Sequence, residues 1–203
     1  MIEAYRTIAA PSKARITRKR SRFLAFVHPI GSLDEMEATL AEIRHATHDA
    51  SHHCTAYRLL GSAEPISSAN DAGEPAGSAG PPILRRLEEA DLLNVLAVVV
   101  RYFGGTKLGV GGLIRAYGDA TEAALESARI VERRIFVDLV IRFPADVNSG
   151  VMATIHRSGA EVREIRYDGT AEVHVAISPS AVPSFREAIR NATGDRAVTE
   201  VQG

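Results

Sequence analysis

The sequence has one cysteine and no tryptophan, and aromatic residues make up only 5% of its 203 residues. A single cysteine, Cys54, cannot form a disulfide within one chain, so we expect a cytoplasmic protein in a reducing compartment. No apolar run approaches the ~20 residues that cross a bilayer, and the N-terminus lacks the apolar segment of a secretory signal. These absences argue against a disulfide-stabilised secreted fold and against a membrane-spanning helix.

An excess of one charge is also lacking, because 24 Lys and Arg side chains nearly balance 25 Asp and Glu side chains. No global field therefore attracts the chain to nucleic acid. The distribution is uneven, since residues 1–30 hold seven basic side chains and one acidic side chain. This basic excess predicts either a solvated strand rim or hairpin edge, or an arm that contacts phosphates through Arg18, Arg20 and Arg22.

Hydrophobic periodicity predicts a mixed α+β chain in two parts. In the first part, strands are expected over residues 4–9, 14–29, 52–60 and 92–102, and helices over 32–48, 84–90 and 112–128. Ser32 and Glu35 form a capping box at the first helix. Residues 61–82 are predicted to be a long irregular loop, and residues 130–134 to be a linker.

After the linker the pattern changes to β-α-β-β-α-β, which is typical of a ferredoxin-like domain. Strands are predicted over 135–143, 161–167, 171–177 and 196–201, with helices over 147–157 and 182–192. Asp168-Gly169 is a two-residue hairpin signal, and Gly159 is a helix stop.

The most informative segment is the end of the apolar strand 92–102, which runs into a glycine-rich turn. Glycine lets the backbone approach a ligand, and N–H groups at a helix start attract anions. The turn is therefore predicted to bind a small anion or nucleic-acid phosphates. The alternative is a strand-to-helix turn that only needs positive φ, and neither a Walker P-loop nor GxGxxG is present. The candidate contacts are Arg101, Lys107 and Arg115 with Gly104, Gly105, Gly109, Gly111 and Gly112.

A second candidate site is the loop that contains Asp71, Glu74 and Ser78. The two carboxylates are able to ligate Mg²⁺ or to act as acid and base, and His52 is placed for a ligand contact near the loop mouth. The alternative is a loop tied down by Asx-type turns. No CxxC or HExxH accompanies the histidines, so no metal or cofactor is expected, and Cys54 is a weak candidate nucleophile.

Three runs of the sequence resemble the signature of the YigZ/IMPACT family. They are ASHHCTAYR from Ala50, NDAGEPAGSAG from Asn70 and GPPILRRL followed by RYFGGTKLG, and the resemblance is dense over about residues 15–130. It implies a domain like the second domain of ribosomal protein S5 over 1–132. It also implies a ferredoxin-like domain over 135–203, similar to the last domain of translocating elongation factors. Ala72 stands where the family commonly has a second Asp, and Ser78 where Thr is common.

The resemblance implies a role in translational control. We expect a non-enzymatic regulator that binds RNA, the ribosome or a translation factor through the basic glycine-rich rim, with Tyr5, Tyr57 and Tyr102 available for base stacking. One alternative is a metal-assisted enzyme acting on a phosphorylated or acidic small molecule at Asp71 and Glu74. Another is a protein–protein adaptor that uses the ferredoxin-like domain. The sequence leaves the partner and the oligomeric state open.

Overall fold

The computed structural model of the chain describes residues 2–62, 64–168 and 170–202. Two compact units are present: Arg6–Arg133, and the described residues of Met1–Tyr5 together with Arg134–Gly203. Each combines helices and strands, so the predicted α+β class is confirmed. No helix of the described ranges is long and apolar enough to cross a membrane.

The first unit is built on a five-stranded sheet with the order β2-β3-β6-β4-β5, in which every neighbouring pair is antiparallel. β1 and β7 pair as a separate two-stranded sheet. The elements up to residue 134 are β1 Ala4–Ile8, β2 Ser12–Arg18, β3 Ser21–Pro29, α1 Leu33–Ala46, β4 His52–Leu59, β5 Ile66–Asn70, α2 Gly80–Glu89, β6 Val95–Tyr102, α3 Val110–Glu126 and β7 Ile130–Arg134.

The central strand β6 is buried on both faces, which explains its almost unbroken apolar run. Ala97 and Val99 belong to the core that α2 and α3 cover. Leu96, Val98 and Val100 belong to the core that α1 covers on the opposite face. The sheet therefore lies between two helical layers, and side chains of β6 alternate between them.

Helix α1 begins as the capping box predicts. The N-cap Ser32 side chain accepts a hydrogen bond from the Glu35 N–H at 3.2 Å, and Glu35 Oε2 accepts one from the Gly31 N–H at 2.6 Å. These bonds satisfy N–H groups that a helix start leaves without partners.

The predicted strand over 14–29 is wrong in one respect, because it is a hairpin of β2 and β3. The chain reverses at Lys19 and Arg20, whose φ angles are 44° and 66°. Non-glycine residues seldom adopt positive φ, and this charged turn has no Gly or Asn to mark it. The turn carries Lys19 and Arg20 of the basic run, in agreement with the hairpin-edge alternative.

Two further predictions are wrong in part, because a helix or strand occupies residues that were predicted to be loop or linker. The 61–82 loop is interrupted by β5 and ends early, because α2 begins at Gly80 with Pro81 and Pro82 in its first turn, where proline is favourable. Ala63 of that loop lies outside the described residues. The linker over 130–134 is strand β7.

The second unit is a ferredoxin-like sheet with two helices on one face. Its elements are β8 Val137–Phe143, α4 Asn148–Ser158, β9 Glu161–Asp168, β10 Thr170–Ile177, α5 Val182–Thr193 and β11 Val198–Val201, with one short 3₁₀ turn before each helix. The antiparallel order β11-β8-β10-β9 confirms the predicted β-α-β-β-α-β pattern. Gly159 ends α4 at φ 70°, as predicted, whereas Gly169 of the predicted turn lies outside the described residues.

Candidate anion-binding site

The turn between β2 and β3 packs directly against the glycine-rich segment that follows β6. A Cβ atom on Gly104 would lie 2.1 Å from the carbonyl carbon of Arg20, so no other residue fits without a backbone shift. The Gly104 N–H also donates to Ser21 Oγ at 3.2 Å. The contact between two backbone segments, rather than a ligand, therefore accounts for this glycine.

A pocket of about 300 Å³ lies beside this turn and collects cations from two distant segments. Arg18 and Lys19 line it from the β2–β3 turn, and Arg115 lines it from the second turn of α3. Arg18 Nη2 is paired with Asp119 Oδ2 at 2.9 Å. Within the part of the chain that the structure describes, Lys19 and Arg115 have no ion-pair partner. We call this pocket, lined by Arg18, Lys19, Leu108, Gly112, Arg115 and Asp119, the basic pocket.

The first turn of α3 lies next to this pocket, which Gly112 lines. The helix begins after Gly109, has no side-chain cap and has no acidic residue in its first turn. A Cβ on Gly111 would lie 3.8 Å from Arg115 Nη1, so the guanidinium folds back over the helix start. A cation there opposes the helix dipole, and a bound anion would offset that repulsion.

The remaining glycines have different physical roles. Gly105 and Gly109 have φ angles of 84° and 73° and open space where a Cβ would be, so the backbone conformation requires them. Gly112 lines the basic pocket, and its Cβ would lie 3.0 Å from Leu108 Cβ. Lys107 is exposed on the segment between these glycines. The turn-geometry alternative thus explains part of the glycine content.

Arg101 is buried, whereas the sequence predicts it on an exposed rim. Only 6% of the residue is exposed, because the alternation of β6 places it on the same face as Val99, beneath α3. Its Nη1 donates to Glu74 Oε1 at 2.6 Å, and the Tyr117 hydroxyl donates to the same oxygen at 2.7 Å. The positive charge of Arg101 is therefore neutralised by Glu74 inside the unit.

Two groups near Glu74, the Tyr117 hydroxyl and the Cys54 thiol, have pKa values raised by burial. Burial raises the pKa of Tyr117 far above its ordinary value, so its hydroxyl remains a donor. Burial also raises the pKa of the Cys54 thiol to about 12. This thiol donates to the Asp71 carbonyl at 3.0 Å. Cys54 is thus a packed core residue and a poor nucleophile at neutral pH.

Asp71 organises its own loop. Its carboxylate accepts hydrogen bonds from the N–H groups of Gly77 at 2.8 Å, Ala79 at 2.9 Å and Gly80 at 2.8 Å. Burial alone would raise the pKa of Asp71, but these three backbone donors outweigh it and lower the pKa. The carboxylate that the sequence offered to a metal is occupied by the backbone at the start of α2.

His52 and Ser78 also serve the loop. His52 Nδ1 donates to the Ala72 carbonyl at 2.9 Å, and its Nε2 lies 4.0 Å from Glu74 Oε1. His53 points to the other face of the sheet, where its Nε2 lies 2.8 Å from Thr47 Oγ1, as the strand alternation predicts. The buried Ser78 Oγ has no hydrogen-bond partner among the described residues. Nor do those residues bring three His, Cys, Asp or Glu side chains together for a metal ion.

Arg20 is exposed in the turn beside Lys19, and Arg22 is exposed on the face of the sheet that α1 covers. Arg22 lies over the Tyr102 ring, with its Cζ 4.6 Å from the ring centroid, and the Tyr102 hydroxyl donates to Asp49. Sequence reasoning missed three residues here. Lys19 belonged to the basic run it had noted, but Asp119 and the buried Tyr117 carried no signal beyond the helical stripe of α3.

The model of the Impact N-terminal domain family matches residues 19–125, more than half of the chain. The chain belongs to the IMPACT family. It is 31% identical over 199 residues to IMPACT family member YvyE of Bacillus subtilis, which covers 97% of this chain and 90% of the relative. It is 28% identical over 186 residues to IMPACT family member YigZ of Escherichia coli, with 91% of each covered. The predicted resemblance is confirmed.

A solved structure described only as that of a hypothetical protein has the same fold over the whole length. It superposes with a TM-score of 0.71 at 26% identity, covering 100% of this chain and 99% of the other. The region matched by the family model contains the β2–β3 turn from Lys19 onward, the glycine-rich turn and most of α3. The basic pocket is thus made chiefly by the part of the chain that defines the family.

Proposed function

We propose that this IMPACT family member is a cytoplasmic, translation-associated protein that binds RNA phosphates at the basic pocket. One observation carries the proposal. The fold joins the basic β2–β3 turn to the glycine-rich start of α3, two segments about 90 residues apart, in a single pocket of about 300 Å³. Family membership supports the translational setting, because the sequence signature implies translational control.

The charges of the basic pocket suit phosphate. Arg18, Lys19 and Arg115 supply three cations against the one carboxylate of Asp119. Exposed Arg20 extends this positive surface along the β2–β3 turn. Phosphate contacts made by Lys, Arg and backbone N–H groups position nucleic acid without reading its sequence. We therefore expect binding that is strong at low salt and tolerant of sequence.

The enzymatic alternative gains no support from the loop that contains Asp71 and Glu74. Asp71 accepts three backbone hydrogen bonds, Glu74 is paired with Arg101, and the Cys54 thiol has a raised pKa. The enzymatic hypothesis needs these three side chains to act on a substrate, but in the structure they hold the loop against the sheet. The adaptor alternative is an outcome of the test below.

The test is sedimentation with ribosomes and binding to a fluorescent single-stranded RNA, across a series from ~50 mM to ~200 mM salt. Wild type is compared with the double variant Lys19→Ala/Arg115→Ala. We expect salt-sensitive binding by wild type and much weaker, less salt-sensitive binding by the double variant. Arg142→Ala in the second unit removes an exposed cation that is paired with Glu172 and Glu200, and it is the control, with unchanged binding expected.

Failure of wild type to bind RNA or ribosomes at ~50 mM salt, where phosphate contacts are strongest, would contradict the proposal. Binding to ribosomes that persists in the double variant would favour a protein partner through another surface.

A further inference from the structure

An exposed aromatic ring stands at the end of β6, beside the basic pocket. Phe103 is 51% exposed, although large apolar side chains of this unit are mostly buried. The next residue, Gly104, packs against Arg20, and Arg20 follows Lys19 of the pocket. The ring is thus tied through one backbone contact to the turn that carries the cations.

The ring is held rather than free to collapse onto the surface. Its backbone N–H donates to Ser51 Oγ at 3.3 Å. The Arg101 guanidinium lies 5.5 Å from its ring centroid and 5.6 Å from that of buried Phe23, in cation–π contact with both. Arg101 donates hydrogen bonds to the buried Glu74 and Ser21 side chains. These bonds fix its guanidinium, which in turn supports the Phe103 ring.

We propose that Phe103 is a stacking platform for an unpaired base of single-stranded RNA whose phosphates occupy the basic pocket. The inference rests on the proposed function and adds the class of RNA to it. Bases stack on exposed aromatic side chains only when they are not already stacked in a duplex. Through Gly104 the ring is joined to the turn that carries exposed Lys19 and Arg20, so a base stacked on it would lie near cations that bind its phosphates.

Arg101 has a positioning role in this arrangement. Its guanidinium donates to the Glu74 carboxylate and contacts the Phe103 ring, so it supports the ring without touching RNA. Two of the three tyrosines that the sequence offered for stacking fit less well. Tyr57 and Tyr102 pack against the core beneath α1, and Tyr102 already carries Arg22 on its ring.

The experiment compares wild type, Phe103→Leu and Phe103→Tyr with a short single-stranded RNA and with the duplex of the same sequence. Leucine keeps the apolar bulk but cannot stack, whereas tyrosine keeps the ring. We expect Phe103→Leu to weaken single-strand binding roughly 5- to 150-fold, the range for one stacked base, and Phe103→Tyr to restore it. Duplex binding and the salt slope should not change. The site is exposed, so circular dichroism should report wild-type folding for both variants.

A second readout separates stacking from general weakening. A 2-aminopurine base in the single strand should lose fluorescence on binding to wild type and keep it with Phe103→Leu. Equal single-strand affinity in wild type and Phe103→Leu would overturn the stacking platform while leaving RNA binding in place. Absence of RNA binding by wild type would overturn both proposals.

Discussion

The two units of this chain differ in how their basic side chains are paired. On the sheet face of the second unit, Arg142 Nε lies 2.6 Å from Glu172, which also lies 2.7 Å from His174, and Arg166 pairs with Glu164 at 2.8 Å. These exposed charges satisfy one another. In the first unit, a buried pair is sealed inside and the outer cations Lys19 and Arg115 have no such partner within the described residues.

The difference supports the proposal that the basic pocket binds an anionic partner. Exposed charges that pair with neighbours gain little from an added ion, whereas clustered cations repel one another until an anion arrives. Burial distinguishes the ion pair inside the first unit from the exposed ion pairs of the second unit. The Arg101–Glu74 pair has side chains only 7% and 4% exposed, so its loss leaves a charge that water cannot solvate.

The largest effect is expected from breaking the buried pair. Glu74→Gln removes the charge opposite Arg101 and should reduce the free energy of unfolding by about 3 kcal/mol, because an uncompensated buried cation remains. Glu200→Gln, which breaks the exposed contact with Arg142, is the matched control and should cause no resolvable change. Urea unfolding followed by circular dichroism measures both. Equal losses in the two variants would show that burial does not separate the units.

The next effect concerns the loop that Asp71 organises. Asp71→Asn removes the charge that three backbone N–H groups share and should cost about 1–3 kcal/mol at neutral pH. The lowered pKa of Asp71 means that this stabilisation is present above the unfolded value, about pH 4, and is lost as pH falls through the folded value. Melting temperatures of wild type and variant should therefore converge on acidification. A gap that stays constant to pH 2 would contradict the assignment.

The sequence could predict much of this fold because its signals were local. The capping box at Ser32, the Gly159 helix stop and the β-α-β-β-α-β periodicity all appear as structure. The errors occurred where local signals were absent or misleading. The Lys19-Arg20 turn has no glycine, and β5 has a polar, exposed pattern.

The candidate site was predictable only in outline. The sequence identified Arg18 and Arg115 as candidates, and the fold brings them to one pocket. It could not show that Arg101 is buried, because the neighbouring elements of the fold decide whether a face of a strand is covered. The partner of that residue, Glu74, lies 27 positions away in a loop whose path depends on tertiary contacts.

A smaller effect should separate the two surfaces by salt dependence. Each phosphate contact to single-stranded RNA adds about 0.7 to the slope of log K against log salt. Lys19→Ala/Arg115→Ala should therefore flatten the slope by about 1.4, whereas Arg142→Ala should leave it unchanged. Fluorescence anisotropy at four or more salt concentrations gives the slopes. Flattening by Arg142→Ala of the same size would place phosphate contacts on the second unit as well.

The smallest effect is a gain. Asp119 is the one carboxylate that lines the basic pocket among the described residues, and it holds Arg18 at 2.9 Å. Asp119→Asn releases Arg18 and removes a negative charge that phosphate must approach, so RNA affinity should rise roughly two- to fivefold, the equivalent of an exposed ion pair. Asp195→Asn, an exposed carboxylate of the second unit paired with Arg190, is the control. Weaker binding by Asp119→Asn would mean that the Arg18–Asp119 pair orients Arg18 for phosphate, and the basic pocket would then resemble the second unit in depending on its internal ion pairs.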